Sequence, residues 1–173
     1  GNWKNGSGTT LSGTATLTFS GGTTQTITSA GKTFSCPITV DTYGGTVQLA
    51  DALNIGANAL TVTNGTFNTQ GYAVSVGSFS SSNSNVRTIS LGSSAVTIIN
   101  GGTVLTLTTS TNLTFNAGTS TITFTVNNIT FSASGQTFYN VSFTNTTAST
   151  HPISGSNTFN NLTFVSPSTG LTN

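Results

Sequence analysis

Charge is what this 173-residue chain most lacks: Asp, Glu, Lys and Arg together make up 3% of it, where an ordinary domain carries about 25%. Glutamate and methionine are absent altogether. The ionisable side chains can be named one by one: Lys4, Lys32, Arg87, Asp41 and Asp51, with His151 as the only histidine. A formal net charge of +1 has no hold on a phosphate backbone or an anionic bilayer. Nucleic acid is thereby excluded as an expected partner. Long hydrophobic runs are missing too. The longest, such as residues 95–99, fall far short of the ~18–20 residues that span a bilayer, so no membrane insertion is expected. With a single cysteine, Cys36, no intrachain disulfide can form, and Cys36 reads as a small residue tucked in at a strand edge. The missing Met leads us to expect a processed product or a piece of a longer chain, with any signal peptide removed.

What is present is strand-forming. Low charge and low complexity can mark disorder, but disordered chains are poor in aromatic and β-branched residues. This chain has 11 Phe and abundant Thr, Val and Ile. Alternation with a period of two runs from end to end, as in Thr14-Ala15-Thr16-Leu17-Thr18-Phe19, Leu60-Thr61-Val62-Thr63 and residues 119–126. In each, a hydroxyl side alternates with an apolar side, the pattern of a strand with one buried face. Nothing repeats apolar residues at helical spacing. Gly21-Gly22, Gly44-Gly45, Asn64-Gly65, Gly101-Gly102 and Asn116-Ala117-Gly118 punctuate the strands with turn residues. The three prolines, at 37, 152 and 167, all suit strand edges or corners.

Internal repetition narrows the fold. Asn112-Leu113-Thr114-Phe115 returns as Asn140-Val141-Ser142-Phe143 and again as Asn161-Leu162-Thr163-Phe164, 28 and then 21 residues on. Residues 13–34 are echoed by residues 118–138. Such spacing matches one turn of a β-helix, in which a coil cannot bury its own apolar face and stacks on its neighbours instead. The expected fold is all-β: a single β-solenoid (parallel β-helix) segment over residues 1–173, with Gly and Asn turns. Repeat coils are expected around 112–139, 140–160 and 161–173. A β-sandwich is the alternative, although it gives no reason for the Asn-apolar-x-Phe corner to recur.

Three stretches carry a resemblance. Residues 78–85 with 87–94, the run Asn112-Leu113-Thr114-Phe115-Asn116-Ala117-Gly118-Thr119-Ser120-Thr121-Ile122 and the run Gly155-Ser156-Asn157-Thr158-Phe159-Asn160-Asn161-Leu162-Thr163-Phe164 resemble repeats of tail-fibre and tailspike-like proteins of tailed bacteriophages. They are also similar to repeats of large secreted bacterial surface proteins, as is the opening Gly1-Asn2-Trp3-Lys4-Asn5-Gly6. The resemblance implies a virion, extracellular or cell-surface location and a structural or adhesive role as a fibre shaft. A surface adhesin or self-assembling filament subunit is the alternative. It further implies self-association, as a homotrimer or head-to-tail polymer, and a host cell-surface glycan or protein as partner.

No constellation announces catalysis. Glycoside hydrolysis normally needs two facing carboxylates, and the chain offers only Asp41 and Asp51, read here as turn residues on adjacent coils. A hydrolase triad would have to use His151, which lies in a loop and is expected to be solvent-exposed. The few ligand-type side chains fit no metal spacing, and the Gly pairs open strands rather than a helix, so no cofactor is expected and the chain is read as a non-enzyme. Seven sequons, at Asn5, Asn64, Asn112, Asn128, Asn140, Asn145 and Asn161, follow from the composition. Ice binding is a third reading, because Thr-x-Thr recurs at 16–18, 26–28, 61–63, 106–108 and 121–123, at uneven intervals. The residues expected to make surface contacts are Trp3, Tyr43 and Tyr72, since exposed aromatics commonly meet sugars or protein partners. The 11 Phe are expected to form the core ladder, and Tyr139 to be a corner residue.

Overall fold

The computed structural model describes residues 1–145 and 147–165; Pro167 and most of the expected coil 161–173 lie outside the described residues. Every strand pairing is parallel, and no helix occurs among the described residues. The chain is a β-solenoid of about seven turns, as alternation and repetition predict. A lead-in strand β1 (Trp3–Lys4) precedes coil 1, which holds β2 (Leu17–Phe19) and β3 (Thr24–Thr28). Coil 2 holds β4 (Ile38–Leu49) and β5 (Leu53–Asn54), and coil 3 holds β6 (Ala59–Asn68) and β7 (Val74–Val76). Coil 4 holds β8 (Ser78–Ser80), β9 (Arg87–Ser90) and β10 (Ala95–Ile98). Coil 5 follows with β11 (Gly102–Leu107), β12 (Leu113–Asn116) and β13 (Thr121–Phe124). Coil 6 has β14 (Ile129–Ala133) and β15 (Thr137–Phe143), and coil 7 has β16 (Ile153–Ser154) and β17 (Thr158–Phe164).

Register defines three faces. On the first, Leu17, Ile38, Leu60, Phe79, Leu105, Phe131 and Ile153 stack inward in one column. On the second, Gln25, Val47, Phe67, Ile89 and Phe115 do so. On the third, Leu53, Val74, Val96, Ile122, Val141 and Leu162 do so. Because side chains alternate across a strand, the residues between them point out. Hence Thr18, Thr39, Thr61, Ser80, Thr106, Ser132 and Ser154 form an outer hydroxyl column on the first face. Thr24, Thr46, Thr66, Thr88 and Thr114 form another on the second.

All 11 Phe pack into or against one core, eight of them buried. Phe124, Phe143 and Phe164 stack ring on ring at 5.0 and 4.8 Å, and Phe138 stacks on Phe159 at 5.6 Å. Pro37 and Pro152 stand just before β4 and β16, where each supplies a carbonyl to the neighbouring coil through Leu17 N and Phe131 N. Cys36, beside Pro37, is half-buried.

The repeats differ from their expected phase. Asn140 and Asn161 are register partners, and Asn161 Nδ2 donates to Asn140 Oδ1 at 2.7 Å, so the 21-residue offset is one coil. The 28-residue offset is not: Asn112-Leu113-Thr114-Phe115 lies on the second face and Asn140-Val141-Ser142-Phe143 on the third. Likewise the echo of residues 13–34 in 118–138 is displaced by one face, since Leu17 opens the first face and Thr121 the third. All three faces make the same demand for alternating Thr and apolar residues, so motif similarity does not encode which face a strand occupies.

Candidate functional site

Coil length varies, and the variation builds the site. The core columns of the first and second faces are separated by 9 residues in coil 2 (Ile38 to Val47), 7 in coil 3 (Leu60 to Phe67) and 10 in coil 4 (Phe79 to Ile89). The stack of coils has a fixed strand spacing of ~4.8 Å, so the extra residues must bulge outward at the corner. Coil 3 is therefore recessed between two projections. One is the coil 2 bulge that carries Tyr43, 77% exposed, and the other is the coil 4 loop that ends at Val86, 73% exposed. The result is a groove of about 480 Å³, within the range of about 300–1,000 Å³ common to ligand sites.

Its floor is Asn64, Gly65, Thr66 and Thr88, and its far wall runs through Ser84 and Asn85 to Asn112 of coil 5. Gly65 is required there. It sits at φ +74°, and a Cβ would collide with the Thr42 hydroxyl and carbonyl and meet Gly45 O at 2.8 Å. Its amide donates to Val86 O at 2.9 Å, tying floor to wall. Three amides face the groove in the same way. Asn64 Nδ2 donates to Asp41 Oδ1, Asn85 Nδ2 to Thr63 O at 3.1 Å and Asn112 Nδ2 to Ser84 O at 2.8 Å. Each nitrogen is anchored to the scaffold, and among the described residues no donor reaches the three Oδ1 atoms. The hydroxyls of Thr66, Thr88 and Ser84 make no side-chain hydrogen bond there either.

Beneath the wall lies a fully buried arginine. Arg87 is 0% exposed. Its Nε donates to Ser81 Oγ at 2.8 Å, Nη1 to the carbonyls of Asn85 (2.6 Å) and Thr111 (3.2 Å), and Nη2 to those of Thr109 (2.6 Å) and Ser81 (3.4 Å). One guanidinium thus clamps residues 81–85 of coil 4 to residues 109–111 of coil 5. No carboxylate touches it among the described residues, and burial lowers its pKa. By composition Arg87 is only one of the few ionisable side chains; the period-two run Arg87, Ile89, Leu91 is the signal in the sequence for its inward position.

The other expected contact residues scatter. Trp3 is half-buried and caps coil 1, its ring 6.0 Å from Phe34 and its Nε1 donating to Asn5 Oδ1. The exposed part of its ring stays at the surface, while the rest covers the apolar end of the stack. Tyr72 is 42% exposed, at the turn between the second and third faces, and lines neither described cavity. Tyr139 lines a second hollow, on coils 5 to 7, together with Phe115 and Phe138. Asn5 is buried and its amide is spent on Ser29 O, so that sequon is inaccessible, and Asn145 is followed by residue 146, outside the described residues. Asn64 and Asn112 line the groove.

Asp41 and Asp51 belong to one coil rather than adjacent ones, at opposite ends of its second-face strand. Asp51 accepts from the amides of Ser29 and Ala30 in coil 1, both at 2.7 Å, while Asp41 is held by Asn64 of coil 3. Both are inter-coil staples.

The expected exposure of His151 is corrected: it is 1% exposed, its ring centroid 4.8 Å from that of Phe143 and tilted against it by 38°. Ser149 Oγ at 2.7 Å and Asn145 Oδ1 at 2.9 Å both meet its Nε2, and buried Nδ1 has no partner among the described residues. A hydrolase relay needs the hydroxyl on one ring nitrogen and the orienting acid on the other; here both partners share one. The arrangement favours a proton on Nε2, donated to Asn145 Oδ1, because the opposite tautomer would bury an unpaired N–H. Desolvation lowers the His151 pKa.

The five Thr-x-Thr motifs fall on three different faces and do not stack as motifs, whereas the single-residue hydroxyl columns are in register. Among the described residues no group of three or more His, Cys, Asp or Glu comes together. Comparison with known proteins returns nothing: no family model, no curated protein and no solved structure matches the chain.

Proposed function

We propose that the chain is a structural and adhesive segment of an extracellular or virion fibre, a shaft of the tail-fibre or tailspike kind. A bacterial surface adhesin or filament subunit is the alternative. The observation that carries this reading is the uninterrupted core of seven coils coupled to a surface nearly free of charge. Each coil packs chiefly on its neighbours, with one bond reaching past a coil from Asn100 Nδ2 to Ala57 O at 3.0 Å, so rigidity and stability accumulate along one axis. Apart from the bonds of Asp41, Asp51 and Arg87, interactions between coils are backbone ladders, Phe stacks and amide or hydroxyl bonds, which salt hardly perturbs. Such a rod suits an element that transmits force or holds a binding surface away from a particle, and it is expected to assemble as a homotrimer or head-to-tail polymer. Electron microscopy of the native particle or secreted material tests this. A trimeric spike on a virion supports the shaft reading, a long single-chain polymer supports the filament, and a dispersed 17.5 kDa monomer in the native source refutes both.

The hydroxyl columns favour one further reading, an ice-binding face, because in-register Thr and Ser present a periodic array of donors and acceptors to water. Inhibition of ice recrystallisation by the purified chain tests it, and the absence of inhibition removes it.

A further inference from the structure

We propose that the groove between Tyr43 and Val86 binds a neutral oligosaccharide, laid along the solenoid axis from coil 2 to coil 5. The inference rests on the adhesive reading and gives it a site and a ligand class. Four features select this chemistry. First, none of the 11 lining residues is charged. Asp41 is engaged by Asn64 behind the floor, and all five donors of Arg87 are spent on the loops. An ionic ligand would leave its water for no counter-charge. Second, the polar atoms left over are neutral and both accept and donate: the Oδ1 atoms of Asn64, Asn85 and Asn112, the second N–H of each amide, and the hydroxyls of Thr66 and Thr88 between them. That set matches a ligand bearing many hydroxyls, and the tethered amide nitrogens fix the acceptors before binding, which limits the entropy lost.

Third, the Tyr43 ring and Val86 face the groove from opposite rims, both among the most exposed apolar side chains of the protein. A pyranose ring has an apolar C–H face and hydroxyl edges, so it can lie on the aromatic ring while its edges reach the amides. Fourth, the groove crosses four coils, which at ~4.8 Å per coil gives ~14 Å between the first and last. That length accommodates an oligosaccharide rather than a single sugar. The site is assembled by insertions that the solenoid itself does not need, since coil 3 closes the same corner with 7 residues where coil 4 uses 10.

The experiment is isothermal titration of the full chain with neutral hexasaccharides (β-1,4-glucan, β-1,3-glucan, α-mannan and β-galactan) and with one acidic hexasaccharide, hyaluronan. We expect saturable binding of at least one neutral hexasaccharide and none of hyaluronan. Tyr43→Ala is expected to weaken binding about tenfold, a loss of ~1.4 kcal/mol, and Thr88→Val, which keeps the strand-favouring shape and removes a floor hydroxyl, several-fold. Tyr72→Ala, outside the groove, leaves it unchanged. Thermal unfolding of each variant checks that the fold persists, and Thr88→Val carries the test if Tyr43→Ala does not fold. No saturable binding of any neutral hexasaccharide, preferential binding of hyaluronan, or equal losses for Tyr43→Ala and Tyr72→Ala overturns the inference. Failure here is distinguishable from failure of the fibre reading: a fibre seen by microscopy without sugar binding removes only the groove, and sugar binding by a native monomer removes only the fibre.

Discussion

Arg87→Met should lower the stability of the protein by about 3 kcal/mol and open the corner between coils 4 and 5. Methionine fills nearly the same space, so little packing is lost and the cost is polar. Four of the five guanidinium bonds are 3.2 Å or shorter, and hydrogen bonds to a charged group contribute ~1.5–3 kcal/mol each. Their gross worth of ~6–12 kcal/mol is offset by the several kcal/mol needed to strip water from a cation that has no carboxylate beside it. Counting instead the groups left behind, the carbonyls of Asn85, Thr109 and Thr111 lose their donor at ~1 kcal/mol each, the low end because the corner adjoins solvent. Both routes arrive near 3 kcal/mol, a large share of the ~5–15 kcal/mol that holds an ordinary domain together. Urea denaturation reads the total, and amide hydrogen exchange reads the place. Protection should fall across residues 81–86 and 108–112 while coils 1 and 2 keep theirs, because a stack of coils couples chiefly nearest neighbours. Arg87→Lys retains the charge but has three donors on a point ammonium instead of a planar fork, so it should fall between Met and wild type. A loss below ~1 kcal/mol for Met, or a lysine variant as stable as wild type, refutes the clamp.

Phe143→Ala removes the middle ring of the Phe124–Phe143–Phe164 stack and is expected to cost ~3–5 kcal/mol by thermal or urea unfolding; a loss under ~1 kcal/mol would show that the ladder repacks. Gly65→Ala forces a Cβ at φ +74° into Thr42 and should cost more than ~1 kcal/mol, and it should abolish binding in the groove, since coil 3 can no longer seat against coil 2. For His151 the folded-state pKa lies below that of the unfolded chain, so the unfolded state takes up the proton first. Stability is therefore full above pH ~6.5 and is lost as pH falls through that value, levelling off once the folded state protonates too. His151→Phe should flatten this dependence in melting curves taken from pH 8 to 5, and an unchanged slope would assign the acid sensitivity elsewhere.

Strand-forming alternation and the solenoid were readable because both depend on a local rule repeated many times. Leu17-Thr18-Phe19 and Ile38-Thr39-Val40 state their inward and outward faces without reference to anything distant. Phase was harder to read, as Asn112 and Asn140 illustrate. Tetrapeptides of one pattern, Asn-Leu-Thr-Phe and Asn-Val-Ser-Phe, serve the second face in one coil and the third in another, because each face asks only for alternation and a residue able to turn. Asn112 meets its corner with φ +56°, whereas Asn140 sits inside β15, bonded to Thr121. Aromatic residues were ambiguous for a related reason: Trp3 and Tyr43 are equally plausible contacts by type, and only the end of the stack makes one a lid and the other a rim.

The groove was illegible for a different cause. It is made not by a motif but by unequal corner lengths in successive coils, and length becomes shape only when the register of neighbouring coils is known. Asn64, Asn85 and Asn112 are 21 and 27 residues apart, a spacing without meaning until Gly65, Arg87 and Leu113 are seen to be ladder partners. The same geometry explains why the lone buried cation sits where it does. A corner extended by several residues exposes carbonyls that no strand partner reaches, and the apolar residues of the core cannot satisfy them. A side chain with five donors on a rigid plane can serve four carbonyls and a hydroxyl from two coils at once. In a chain with so little charge, the arginine held inside is the residue that ties the extended corner of coil 4 to coil 5, and that corner forms one wall of the groove.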